Sequence, residues 1–168
     1  MAQVYVAAGS NIDPQVHLVR AQTELTRLFG ALTVSPWYRN AAVGFEGEDF
    51  INFVFGFRTG LNVHEVQAQL REVEAHCGRP PDAPKWAARA IDLDILLYGD
   101  LVLNEPALKL PRPDLLVRPY MLGPLADLAP DLRHPTAGSS IAQLWAAFDP
   151  AAHAMIVVRP AAMLSPCG

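Results

Sequence analysis

The hydrophobic and polar positions of the first sixty residues predict a strand, a helix and two further strands. Asp13-Pro14 favours the start of the helix, since proline suits a first helical position, and Gly30 is well placed to end it. Between them, apolar residues recur at the spacing of one helix face, at Leu18, Ala21, Leu25 and Leu28. The predicted strands cover residues 3–8, 31–38 and 50–57.

The later sequence predicts a second helix, a strand, two further helices and a final strand. Asn62 and Glu65 have the spacing of a capping box, and an apolar helix face follows them as far as Cys77. Ser140 is a candidate cap for a short helix whose inward side is formed by Ile141, Leu144, Trp145 and Phe148. The other elements predicted here are a strand over 90–98, a helix over 115–128 and a strand over 155–158.

Two segments without an apolar period interrupt these elements. Residues 40–49 contain two glycines and three acids, and residues 79–88 contain three prolines. Loops of this length in a compact domain frequently carry function. We therefore expect two mobile functional loops beside the sheet.

The order of the predicted elements indicates the fold class. A β-α-β-β-α-β order, followed by additional C-terminal helices and a strand, predicts an α+β fold of the ferredoxin-like sandwich type. No linker or repeat divides the sequence, so we expect a single domain over 1–160 and a C-terminal tail over 161–168. This fold hosts many activities, so function must be argued from individual residues.

Composition and charge exclude several classes of protein. The chain has 168 residues, of which 51% are apolar, and no apolar run approaches the roughly 20 residues of a membrane span. Two cysteines do not form a disulfide framework, and the sequence begins without the features of a secretory signal. A net charge of −4 argues against binding to a nucleic-acid backbone. We expect a cytoplasmic monomer without membrane or nucleic-acid partners.

The clearest chemical motif is Asp92-Leu93-Asp94 on a predicted strand. Alternation along a strand places the two carboxylates on one face, with α-carbons about 6.6 Å apart. Such a pair is suited to Mg²⁺, which prefers oxygen ligands and commonly completes its shell with substrate phosphates. The alternative is a solvated strand face with two ordinary surface acids.

The segment before these acids adds residues that suit phosphate chemistry. Arg89 is able to grip phosphate oxygens with its fork of donors, and Lys85 provides a point charge. Trp86 presents a flat surface for a heterocycle. Each also has a structural explanation: Trp86 as a lid on the core, and the cations as solvated loop residues.

The segment 85–96, KWAARAIDLDIL, resembles the signature of the 6-hydroxymethyl-7,8-dihydropterin pyrophosphokinase family. The resemblance extends from about residue 4 to residue 130 and includes Gly9-Ser10-Asn11, Tyr38-Arg39, Phe50-Ile51-Asn52, Gly78-Arg79 and residues 118–125. It implies a ferredoxin-like fold and the transfer of pyrophosphate from ATP to the pterin hydroxyl in folate biosynthesis. ATP would be the co-substrate, and two Mg²⁺ ions would be required.

The resemblance also implies roles for individual residues. Catalytic residues would be Arg79, Arg89, Asp92 and Asp94, the last two also holding the metal ions. The pterin would be bound by Asn40, Val43, Asn52, Trp86 and Tyr120. ATP would be bound by Glu74, Lys85, Trp86, Arg89, Ile95, Arg112 and Arg118.

Some of these residues have alternative explanations from the sequence. Asn52 also suits a turn or a cross-strand contact, Tyr120 a half-buried core position, and Glu74 a solvated helix edge. Arg112 stands where many family members have histidine, and Pro81 and Ala107 stand where some have arginine. Two other functions therefore stay open: a non-catalytic binding relative, and a ferredoxin-like RNA-binding module.

Overall fold

The computed structural model describes residues 1–40, 49–76, 90–148 and 155–158. Their strands confirm the predicted strands in place, with ends that differ by a few residues. The strands are β1 (Ala2–Ser10), β2 (Thr33–Val34), β3 (Trp37–Asn40), β4 (Phe50–Thr59), β5 (Asp92–Tyr98), β6 (Leu103–Glu105), β7 (Leu108–Leu110) and β8 (Ile156–Val158).

The predicted helices are also present among the described residues. The α-helices are α1 (Pro14–Phe29), α2 (Val63–His76), α3 (Pro119–Leu128) and α4 (Ile141–Ala146), and a 3₁₀ helix covers Pro113–Leu116. The capping box predicted for α2 is formed, and the predicted cap of α4, Ser140, is also part of a capping box. Asn62 and Glu65 exchange side-chain hydrogen bonds with each other's backbone N–H groups, and Ser140 and Gln143 do the same.

The described strands form one main antiparallel sheet in the order β5-β1-β4-β3-β8, with β2 also pairing with β4. The register pairs Gly9 of β1 with Asn52 of β4 on one side and with Asp92 of β5 on the other. The register thereby brings Gly9, the predicted pterin residue Asn52 and the predicted metal ligand Asp92 together at one end of the sheet.

Helices cover the sheet on both faces because strand residues alternate between two apolar cores. Phe53 and Phe55 of β4 point towards α1 and α2, with Phe53 stacked on Trp37 at a centroid distance of 5.0 Å. Val54 points to the other face, where it belongs to the core of α3 and α4. The chain therefore has a mixed α+β architecture built on an antiparallel sheet.

Two predicted elements are interrupted where proline occurs. The strand predicted over 31–38 is divided into β2 and β3 by Ser35-Pro36, because proline has no N–H group for the ladder. The helix predicted over 115–128 is divided before Pro119, because the preceding Arg118 is extended, as is usual before proline. The short hairpin of β6 and β7 was not predicted, since three-residue strands leave too little periodicity.

The start of α1 differs from its prediction in one detail. Asp13 occupies the capping position, as predicted, but it has a left-handed conformation and its side chain makes no capping hydrogen bond. Its backbone carbonyl instead accepts hydrogen bonds from Val16 and His17.

Candidate active site

A cavity of about 270 Å³ lies between the sheet and α3. It opens at the end of the sheet where β1, β4 and β5 meet. Its lining includes the two predicted metal acids, three of the predicted pterin residues and two of the predicted nucleotide residues, namely Asp92, Asp94, Asn40, Asn52, Tyr120, Arg112 and Arg118. We call this the sheet cavity.

Strand alternation accounts for the composition of the sheet cavity. Asp92 and Asp94 face it, while Leu93 between them is fully buried in the opposite core with α1 and α2. The predicted placement of both carboxylates on one face is therefore what the structure shows. Neither acid is on the freely solvated strand face that was the alternative, since each is partly buried in a lined cavity.

Asn52 is held in a defined orientation inside the sheet cavity. Its side chain is 7% exposed, and its Nδ2 donates a hydrogen bond of 2.5 Å to Asn40 Oδ1. On its other side Gly9 gives it space, since a Cβ at Gly9 would stand 2.5 Å from Asn52 Oδ1. The amide is therefore fixed by a hydrogen bond on one side and by close packing on the other.

Tyr120 lies on the helical wall of the same cavity. It is partly buried beside the α3 and α4 core, and burial raises the pKa of its hydroxyl. Tyr120 thus packs against the apolar core and also lines the cavity, so both expectations from the sequence are compatible with its position.

A second cavity of about 320 Å³ lies around the outer edge of β5. We call it the edge cavity. Ile95 and Arg112, two of the predicted nucleotide residues, line it together with Arg71 and Gln67 of α2 and the β7 segment. Arg112 and Asp114 line both cavities, so the two spaces meet at these side chains.

Asp94 is the centre of a charged network between the two cavities. Its Oδ1 lies 3.7 Å from Arg112 Nη1 and 3.9 Å from Arg71 Nη2. Burial raises the pKa of Asp94; Arg112 and Arg71 oppose this change, whereas Asp92 and Asp114 add to it. The carboxylate is thus in an environment that favours a nearby cation.

Glu74 joins α2 to β5 through a hydrogen bond and is also paired with Arg71. It is 3% exposed, so the solvated helix edge is wrong. Its Oε2 accepts a hydrogen bond of 2.8 Å from the backbone N–H of Leu93, and its Oε1 accepts one of 2.7 Å from Arg71. Glu74 lines neither the sheet cavity nor the edge cavity, and its role in ATP binding stays a prediction.

Several predicted site residues lie outside the described residues. They are Val43, Arg79, Lys85, Trp86 and Arg89, together with Pro81 of the second predicted loop. Their roles stay predictions. Sequence reasoning also missed residues that line the cavities, among them Arg71 and Asp114, which no motif marked as facing a ligand.

The side chains of the sheet cavity offer oxygen ligands for a metal ion. Asp92 and Asp94 provide carboxylate oxygens on one cavity wall, which suits Mg²⁺. Within the described ranges no group of three or more His, Cys, Asp or Glu side chains has metal-binding geometry. The residues fit an ion that takes its remaining ligands from a substrate, as Mg²⁺ commonly does with phosphates.

Comparison with known proteins identifies the family. The sequence model of 7,8-dihydro-6-hydroxymethylpterin-pyrophosphokinase (HPPK) matches residues 5–130. The chain belongs to the HPPK family. The match covers every residue that lines the sheet cavity.

Curated relatives of the HPPK family match most of the chain. An enzyme of Aquifex aeolicus named 2-amino-4-hydroxy-6-hydroxymethyldihydropteridine pyrophosphokinase is 36% identical over 137 residues, which is 80% of this chain and 85% of that protein. The enzyme of the same name from Pseudomonas aeruginosa is 38% identical over 149 residues, covering 86% of this chain and 91% of its own.

Solved structures agree on the fold. The Plasmodium falciparum HPPK-DHPS crystal structure with pteroate aligns with a TM-score of 0.68 over 86% of this chain at 13% identity. The chain spans 42% of the length of that protein. At this identity the likeness describes the fold alone.

Proposed function

We propose that the two cavities carry out the reaction for which the HPPK family is named. A pyrophosphoryl group is transferred from ATP to the hydroxyl of 6-hydroxymethyl-7,8-dihydropterin, giving AMP and the pterin diphosphate for folate biosynthesis. Family membership supports this activity. The pair of acids in the sheet cavity, Asp92 and Asp94, supports the location of the reaction there.

The pterin is assigned to the sheet cavity. Asn52 presents a fixed amide to its polar edge, Tyr120 supplies a flat wall for the ring, and Asn40 stands beside them. A rigid donor and acceptor pair suits a heterocycle, because a ligand lacking the matching groups would leave buried polar atoms unpaired. Val43 and Trp86 are assigned to the same ligand from the sequence resemblance.

ATP is assigned to the edge cavity. Ile95 offers an apolar contact there, and Arg112 extends from this cavity into the other one. The triphosphate would then lie towards Asp94 and the pterin hydroxyl, where Arg118 lines the sheet cavity. Lys85, Arg89 and Arg79 are assigned to the phosphates, while Glu74 acts through its support of β5.

Asp92 and Asp94 would hold Mg²⁺, and we propose two ions, as the resemblance implies. When bound, the ions neutralise phosphate charge and align the β-phosphorus with the attacking hydroxyl. The residues of the chain position the two substrates: Asn52 and Tyr120 orient the pterin, and Arg112 and Arg118 offset charge on the phosphate oxygens. The hydroxyl oxygen releases its proton to solvent and forms the new bond to the β-phosphorus. The bond between the β-phosphorus and the oxygen that bridges it to the α-phosphorus breaks, and that oxygen leaves with AMP.

The structure gives no support to the RNA-binding alternative. Such a module would present aromatic side chains on an open sheet face, whereas here α1 and α2 cover one face and α3 covers the other. The non-catalytic alternative differs from the proposal only in turnover, so it is tested by the assay below.

Several finer assignments belong to the same proposal. The strand order β5-β1-β4-β3 with two helices on one face supports the ferredoxin-like description, to which β8, α3 and α4 are additions. We propose one domain over 1–160 with a tail over 161–168, acting as a monomer in the cytoplasm, where ATP is available. No helix of the described part is long and apolar enough to span a membrane.

The test is AMP formation from ATP and 6-hydroxymethyl-7,8-dihydropterin in the presence of Mg²⁺. We expect AMP only when the pterin is present. Asp94→Asn should lower kcat at least about 100-fold, because an amide cannot replace the carboxylate as a ligand for the metal.

The matched control is Asp100→Asn, which changes charge equally at an exposed residue of the turn after β5. It should leave the rate within about twofold. Pterin binding without AMP from the folded wild type would support the non-catalytic alternative instead.

A further inference from the structure

Arg71 of α2 is not assigned by the family resemblance, yet it contacts three groups at the centre of the site. Its Nη1 donates to Glu74 Oε1 at 2.7 Å and to the Leu93 carbonyl at 3.1 Å. Its Nη2 lies 3.9 Å from Asp94 Oδ1. One nitrogen therefore anchors the guanidinium on β5, and the other directs positive charge at the metal acid.

The surroundings of Arg71 allow its second nitrogen to change partner. The side chain is 45% exposed, and it lines the edge cavity assigned to ATP. The 3.9 Å separation from Asp94 is long compared with the contacts of Nη1, so this ion pair is the weakest of the three. Phosphate oxygens entering the edge cavity would attract the same nitrogen more strongly, because they carry more charge.

We propose that Arg71 is a positioning residue that makes metal binding depend on nucleotide binding. Without nucleotide, its charge, together with that of Arg112, balances Asp94 and repels a free divalent cation. When the triphosphate arrives, Arg71 turns its second nitrogen to a phosphate, and Asp94 becomes available to the metal. This inference rests on the assignment of ATP to the edge cavity.

If Arg71 has this role, removing its charge should change the affinity for a free metal ion and the affinity for nucleotide in opposite directions. Removing the charge at residue 71 leaves Asp94 with one fewer cation, so a free metal ion should bind more tightly. The same change removes an attractive charge from the phosphate site, so nucleotide should bind less tightly. A residue with only a structural role would weaken both affinities or neither.

Arg71→Gln is the informative variant. Its amide N–H is able to donate to Glu74 or to the Leu93 carbonyl, so the support of β5 is retained while the charge is lost. Arg71→Lys keeps the charge without the fork and serves as the second variant. Arg58→Gln is the matched control, since Arg58 is exposed and lies towards the opposite end of β4 from Asn52.

The experiment measures Mn²⁺ binding by electron paramagnetic resonance, and binding of α,β-methylene-ATP with Mn²⁺ by calorimetry. We expect Arg71→Gln to bind free Mn²⁺ roughly three- to tenfold more tightly and the nucleotide about tenfold more weakly. Arg71→Lys should bind free Mn²⁺ as the wild type does, and Arg58→Gln should match the wild type in both measurements.

Two results would overturn this inference: equal behaviour of Arg71→Gln and Arg58→Gln, or weaker binding of free Mn²⁺ by Arg71→Gln. Either result counts against the inference only if the wild type binds the nucleotide and forms AMP. A wild type that does neither would instead contradict the proposed function, so the two failures are distinguishable.

Discussion

At the scale of single residues, the sheet cavity depends on a glycine, because residue 9 must have no side chain. Gly9 lies beside Asn52 across the β1 and β4 ladder, and any larger residue would meet the Asn52 amide oxygen. No left-handed backbone is involved at this position. The glycine is needed because two groups approach closely, and its role is to leave the amide in place.

Gly9→Ala should therefore impair pterin binding while the protein still folds. The new Cβ would stand 2.5 Å from Asn52 Oδ1, so the amide must shift and its hydrogen bond to Asn40 is strained. We expect KM for the pterin to rise roughly tenfold, the loss of about one hydrogen bond, with KM for ATP little changed. Steady-state kinetics with each substrate varied separately checks this.

Gly60→Ala is the control for that variant. It is the same substitution, but a Cβ at Gly60 meets nothing within 4 Å. Both KM values should stay at those of the wild type. An unchanged pterin KM in Gly9→Ala would show that the Asn52 amide is free to reorient.

At the scale of elements, the connection between α3 and α4 is organised around a buried histidine. His134 is 4% exposed, and its Nδ1 accepts hydrogen bonds from the backbone N–H groups of Thr136 and Ala137. Burial lowers the pKa of this histidine. A protonated Nδ1 could not accept these bonds, so this turn requires the neutral ring.

The stability of the protein should consequently fall on acidification. The unfolded chain takes up the proton near the ordinary pKa of 6.5, whereas folded His134 resists it. The folded state thus loses stability as the pH drops below about 6.5 towards the lowered pKa, and gains none above it. Thermal unfolding between pH 5 and 8 should show this slope in the wild type.

His134→Asn should flatten that slope, since an amide oxygen can accept the same bonds without titrating. His76→Asn, at the exposed end of α2, should keep it. A slope unchanged in His134→Asn would assign the acid sensitivity to other groups.

The elements were predictable from sequence wherever their stabilising interactions are local. The capping box at Asn62 and the cap at Ser140 formed as predicted, because each uses contacts within four residues of one helix start. The β6 and β7 hairpin was missed because its three-residue strands leave too little periodicity, and its hydrogen bond of 3.2 Å from Gln67 to the Ala107 carbonyl joins residues far apart in sequence. The contacts of Arg71 were not predictable either, because its partners on β5 lie 22 and 23 residues away in sequence.

At the scale of the whole molecule, the two faces of one sheet pack against two separate apolar cores. Leu70 of α2 is fully buried on one face, and Leu122 of α3 is 1% exposed on the other. Because neighbouring residues of β4 belong to different cores, neither face should unfold without the other. The sequence periodicity predicted each helix, but it did not reveal which face each helix covers.

Leu70→Ala and Leu122→Ala should each lower the free energy of unfolding by about 2–5 kcal/mol. Each should do so in one cooperative transition, seen at the same urea concentration by circular dichroism and tryptophan fluorescence. Non-coincident curves in either variant would indicate that the two layers unfold separately.

The contacts of Leu93 have a consequence for solubility. In the described sheet β5 is the terminal strand, and its outward N–H and C=O groups at Leu93 are taken by Glu74 and Arg71. These are the groups with which a strand from a second molecule would pair. Two paired side chains thus imitate a neighbouring strand, so residues beside the proposed metal ligand Asp94 also keep this edge of the sheet from pairing with another molecule.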